Sequence, residues 1–139
     1  MTMVPQILAE HFADSGEPGI ASVYLFGSHA SDRAHADSDV DVAVLADRDA
    51  YPTRRDRWEL RVRLGSELGA VTGNDDVDVV VLNDAPPELG RAVVTHGIRV
   101  FCGDSEADHA YVRDVQLRAA DLVPWLRRMR RLKLAAIRG

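Results

Sequence analysis

Residues 20–26 (IASVYLF) are apolar, aromatic and β-branched around the single small polar residue Ser22, and the run stops at Gly27. Such a run predicts a buried strand. Residues 39–46 (DVDVAVLA) alternate instead, with Val40, Val42 and Val44 on one face and Asp39, Asp41, Ala43 and Leu45 on the other. A strand buried on its valine face would present Asp39 and Asp41 together. Residues 77–82 (VDVVVL) predict a third strand with Asp78 as its only charge, and 98–102 (IRVFC) a fourth. Helical spacing fills the intervals. Ile7, Leu8 and Phe12 predict a short helix after Pro5 that ends before Asp14-Ser15-Gly16. Gly27 and Ser28 open a turn into a short helical segment, 28–34. Trp58, Leu60, Val62, Leu64 and Leu68 mark an amphipathic helix over 53–71, ended by Thr72-Gly73-Asn74. Pro86 and Pro87 suit the start of a helix over 86–96, which Gly97 caps. Residues 103–107 read as a linker, and 108–136 as one long helical pattern with a kink at Pro124. Strands alternating with helices predict an α/β (α+β) domain: a small mixed β-sheet flanked by helices, with a C-terminal helix.

The chain has 139 residues, enough for one domain with its own core. Its single cysteine, Cys102, excludes an internal disulfide and any Cys/His zinc motif; it reads as a small buried hydrophobe. The N-terminal residues lack the pattern of a signal peptide, and no uncharged stretch is long enough to span a bilayer, so a cytoplasmic protein without membrane contact is expected. The net charge of −5 argues against a general nucleic-acid binder, and no direct nucleic-acid contact is expected. That charge is unevenly spread. Residues 1–106 carry 19 acidic and 9 basic residues, whereas 107–139 carry 3 and 8. The boundary divides a domain over 1–106 from a basic amphipathic helix over 107–139.

The acidic residues of the first part matter more than their number. Asp39 and Asp41 are two apart on a strand, so their side chains point the same way, roughly 6 to 7 Å apart at the backbone. Hard oxygen ligands so spaced suit Mg²⁺, which takes one or two carboxylates together with waters and phosphate oxygens. Two such ions about 4 Å apart stabilise the attacking and leaving oxygens of an in-line displacement at phosphorus. A third carboxylate, Asp78, could complete a metal site or accept a hydroxyl proton. Gly27 permits close backbone approach, and N–H groups at the Gly27-Ser28 turn can point at a phosphate. A D-x-D pair alone is unremarkable among 22 acids. An EF-hand loop starting at Asp37 fails, because Val42 and Arg48 stand where glycine and glutamate are required. Asp75 and Asp76 read as a solvated turn. A carboxylate inside an apolar strand is costly unless paired, and that argument sets Asp39, Asp41 and Asp78 apart.

Gly27-Ser28, ten intervening residues and Asp39-x-Asp41, followed by VDVVVLNDAPPELGRAVVTHGIRVF at 77–101, resemble the signature of the DNA polymerase β-type nucleotidyltransferase superfamily. The small size and the 77–101 segment resemble its minimal nucleotidyltransferase (MNT) branch, which commonly serves as antitoxin to a HEPN-domain ribonuclease toxin. The resemblance covers about residues 20–102. It implies a nucleotidyltransferase fold. It also implies that Gly27 and Ser28 hold the triphosphate, that Asp39 and Asp41 bind Mg²⁺ (two ions), and that Asp78 is a further metal ligand or the base. The implied reaction moves AMP from ATP to a tyrosine hydroxyl of the HEPN toxin, within an oligomeric toxin–antitoxin complex. One departure concerns the family's frequent Ala-Arg-Gly after Gly-Ser-x, replaced here by Ala30-Ser31-Asp32 with Arg33 next. Two alternatives stand beside this reading: an antitoxin that neutralises by binding alone, and a nucleotidyltransferase acting on a small-molecule hydroxyl.

Of the five histidines, His29 and His35 lie near the proposed phosphate turn; His11, His96 and His109 read as surface or core residues. Leu117, Leu122, Trp125, Leu126, Met129, Leu132 and Leu134 alternate with arginines. They predict a helix that packs its apolar stripe on the domain or presents it to a partner.

Overall fold

The computed structural model describes residues 4–30, 39–118 and 131. The elements follow in the order α1 (Val4–Ser15), β1 (Ile20–Phe26), a 3₁₀ turn (Gly27–Ala30), β2 (Val40–Ala46), α2 (Arg54–Thr72), β3 (Val77–Val81), a second 3₁₀ turn (Leu82–Asp84), α3 (Pro87–His96) and β4 (Ile98–Cys102). A further helix, α4, covers residues 105–118. His35, Asp32, Arg33 and most of the basic C-terminal stripe lie outside the described residues.

The four strands form one mixed sheet in the order β3-β2-β1-β4. β1 runs antiparallel to both β2 and β4, while β2 and β3 are parallel and joined through α2. This is the mixed sheet expected from the alternation of elements. α1 and α2 cover one face, where Leu8, Phe12, Leu60, Leu64 and Leu68 meet the valine side of β2 together with Val23, Leu25, Val79 and Val81. Each large side chain fully buried there stabilises the fold by about 1.5–3 kcal/mol.

The opposite face is not open along its length. Ala43 and Leu45 join Ala21, Tyr24, Leu82 and Val93 in a second core, against which Leu89, Ala107 and Tyr111 pack. α3 and α4 therefore pack against this side, while Asp41, near the N-terminal end of β2, is half-buried.

Local chemistry fixes the ends of the helices. Thr53 and Asp56 form a reciprocal capping box at the start of α2, with N···O distances of 3.0 and 3.2 Å. Gly73 ends α2 in the left-handed conformation, φ 70°. Arg57, buried on α2, donates to both carboxylate oxygens of Asp84 at 2.9 and 3.1 Å and to the Tyr51 carbonyl. This bidentate pair ties α2 to the turn after β3.

Two boundaries differ from the sequence expectation. α1 runs through Asp14 to Ser15, and the chain turns at Gly16, φ 56°. α4 begins at 105 rather than 108, because Asp104 caps it by accepting from the Ala107 N–H at 3.1 Å. The residues expected as a linker thus open the helix. Cys102 is exposed at the end of the edge strand β4, so the expectation of a buried cysteine is corrected.

α4 is fastened by a buried polar cluster. Asp108, 1% exposed, accepts from the Tyr24 hydroxyl at 2.5 Å and from Arg99 at 2.8 Å, with the Ser22 hydroxyl buried beside it. Burial alone would disfavour its charge, but the Tyr24 hydroxyl, the nearby Ser22 hydroxyl and the Arg99 guanidinium outweigh burial and hold its carboxyl below the usual range.

Candidate active site

The sequence-predicted residues gather at one end of the sheet. Phe26, the last residue of β1, pairs with Asp41 of β2, and Asp41 in turn pairs with Asp78 of β3. In a parallel pair, residues in register put their side chains on the same face, so Asp41 and Asp78 are neighbours. Asp39 lies just before β2 and is exposed.

Gly27 follows Phe26 with φ +73°, in the left-handed region that favours glycine. A Cβ at this position would collide with the carboxylate oxygen Oδ2 of Asp41. The turn is thus pressed against the carboxylate, and only a glycine fits between β1 and Asp41. His29, in the same 3₁₀ turn, is close enough to act on the charge of Asp41.

The electrostatics converge on Asp41. Partial burial raises its pKa first, the charges of Asp78 and Asp39 raise it further, and His29 draws it partly back. Three carboxylates repel one another here, and a cation placed among them would relieve that repulsion. Among the described residues, no three Asp, Glu, His or Cys side chains converge as a ready-made metal cage. The donor set is instead an open edge of carboxylate oxygens, suited to a hard cation that completes its shell with water and phosphate. The residues fit Mg²⁺ in that sense.

One part of the sequence argument is corrected. Asp78 does not bear a burial cost, because its side chain is 62% exposed on the edge strand β3 and pairs with Arg61 of α2 at 3.5 Å. Asp39 is exposed as well. The desolvation expected for all three carboxylates falls on Asp41. Arg61 went unnoticed in the sequence, although its place on α2 opposite an acidic strand residue could have flagged it. His96 also proves to be placed near the site. With Phe26, Ala30, Leu89 and Val93 it lines an apolar hollow of about 320 Å³ beside Gly27.

The sequence profile of the family described as "Polymerase beta, Nucleotidyltransferase" matches residues 9–106, most of the chain. The chain belongs to the polymerase β-type nucleotidyltransferase family. Within this family, it is 37% identical over 94 residues to the protein adenylyltransferase MntA of Shewanella oneidensis. The alignment spans 68% of this chain and 62% of that relative's length. A chain of a solved toxin–antitoxin structure with AMP-PNP is 26% identical, with a TM-score of 0.61 over 97% of this chain and 98% of that one. A chain from the tri-AMPylated Shewanella oneidensis HEPN toxin in complex with MNT antitoxin shares the fold, with 24% identity, a TM-score of 0.60 and full coverage of both chains. The mixed sheet with flanking helices is accordingly a nucleotidyltransferase fold, as the Gly27-Ser28 and Asp39-x-Asp41 motifs implied.

Proposed function

We propose that this nucleotidyltransferase is an antitoxin that transfers AMP from ATP to a tyrosine hydroxyl of a HEPN-domain ribonuclease toxin and thereby neutralises it. The observation that carries the proposal is the register of Asp41 with Asp78 on adjacent strands, with the Gly27 turn pressed against Asp41. The relatives add support: one is a protein adenylyltransferase, and another comes from a toxin–antitoxin complex with an ATP analogue.

In this reading Gly27 and Ser28 hold the triphosphate. Asp39 and Asp41 hold Mg²⁺ as two ions, with Asp78 as a further ligand or as the base. Bound Mg²⁺ would supply positive charge to the phosphates and to the mutually repelling carboxylates. The tyrosine oxygen attacks the α-phosphorus, a new P–O bond forms, and the bond to the bridging α–β oxygen breaks. Pyrophosphate leaves with that electron pair, and the tyrosine proton passes to Asp78. The apolar hollow beside Gly27 offers the adenine ring a place out of water. Residues 1–106 would form the catalytic part, with 107–139 as a basic appendix to it. Among the described residues no helix is long and apolar enough to cross a membrane.

The test separates transfer from neutralisation by binding alone. In cells expressing the adjacent gene's product as toxin, wild-type protein restores growth and the Asp39→Ala/Asp41→Ala double variant does not. Full rescue by a stably folded double variant would assign neutralisation to binding.

A further inference from the structure

A groove of about 490 Å³ runs along β3, walled by Arg54, Trp58 and Arg61 of α2 on one side and by Pro86 and Leu89 at the start of α3 on the other, with Val80 in its floor. β3 is an edge strand, so one side of its backbone pairs with no strand of the sheet. Trp58 is 61% exposed, unusual for the largest apolar side chain type in a helix that otherwise buries its leucines.

The groove leads to the candidate active site. Val80 and Asp78 are two apart on β3, so they share a face roughly 6 to 7 Å apart. Arg61 belongs to both features, lining the groove and pairing with Asp78. A polypeptide segment lying in the groove would therefore deliver a side chain to Asp78.

Charge indicates what kind of segment fits. The groove carries three arginines, Arg54, Arg57 and Arg61, against one acid, Asp84, within a sequence part that is otherwise strongly acidic. Arg57 is committed to Asp84 through its bidentate pair. Arg54 also pairs with Asp84, but at a long 3.8 Å and with its side chain 86% exposed, so it can reach a second anion as well. Exposed arginine beside exposed tryptophan is the composition of an interface centre.

We propose that this groove receives the acceptor protein: an acidic, partly apolar segment of the toxin lies along β3 between Trp58 and Leu89 and places its tyrosine at Asp78. The proposal rests on the adenylyltransferase reading and names its acceptor surface. It is tested with the full chain, the adjacent gene's product and ATP, using Trp58→Ala and Arg54→Glu. Both side chains are exposed, so the variants retain the fold, which circular dichroism verifies. The expected result is a KM for the toxin raised about tenfold or more with the KM for ATP unchanged. In hydrogen exchange without ATP, toxin protects residues 54–61 and 80–89 of the wild type. An unchanged KM for the toxin with protection elsewhere overturns the proposal. A raised KM for ATP alone assigns the groove to the polyphosphate and overturns it too. Protection of the groove without any AMP transfer upholds the docking surface while the adenylyltransferase reading fails.

Discussion

Asp41 carries the tension of the site. Partial burial and the charges of Asp78 and Asp39 raise its pKa above the ordinary value of 3.8, with His29 opposing them. The folded protein therefore keeps a proton that the unfolded chain has already released just above that value. Stability falls as pH rises through this window, and at neutral pH the full penalty is present. The Asp41→Asn protein, free of metal and nucleotide, is expected to melt at a higher temperature than wild type at pH 7, with the gap narrowing toward pH 4. The same variant is expected to lose transfer. Scanning calorimetry at the two pH values checks this, and a lower melting temperature than wild type at pH 7 would contradict it. The residues of this site stood out through the family resemblance: Gly27-Ser28, ten residues and Asp39-x-Asp41 match its pattern in order, where a D-x-D pair alone is unremarkable. Their environments were not legible in the sequence. Whether a carboxylate is buried depends on which strand lies at the edge, and β3 being an edge strand leaves Asp78 exposed and paired to Arg61.

At the scale of elements, α4 shows what a short polar cluster does. Asp108 joins β1, through Tyr24, to β4, through Arg99, and sets the helix on the second core. Asp108→Asn keeps the shape but removes the charge that both donors serve. It is expected to destabilise the fold by about 2 kcal/mol, read from urea unfolding. The carboxyl is held below its ordinary value, so its contribution is complete above 3.8 and is lost as pH falls through the depressed folded value. The wild type should thus lose its advantage over the variant on acidification, and a constant gap down to strongly acidic pH would argue against this role. Hydrophobic patterning placed β1, β2, α1 and α2, each of which buries apolar side chains in the core, while α3 was read from Pro86, Pro87 and Gly97. Patterning misplaced the start of α4, where the glycine at 103 suggested a linker but the capping Asp104 begins a helix. Periodicity was silent on the Asp108 cluster, whose members are far apart in sequence and meet only through the sheet order.

Across the whole molecule, the fold assigns different tasks to its two faces and its two edges. Both faces of the sheet are covered by helices, and Asp41, Asp78 and the Gly27 turn meet at the strand ends. The net charge of −5 conceals this arrangement. Carboxylates gather at the strand ends, while arginines collect along the β3 groove. No sequence pattern could show that groove, because α2, β3 and α3 form it together only once the sheet order is set. The central claim is that the carboxylate edge moves AMP onto a protein tyrosine. Its most direct test incubates the purified chain with the adjacent gene's product, ATP labelled at the α-phosphate and Mg²⁺, and maps the label by mass spectrometry. AMP is expected on a toxin tyrosine with wild-type protein and none with Asp39→Ala. An unlabelled toxin with both proteins, or equal labelling by both, would contradict it.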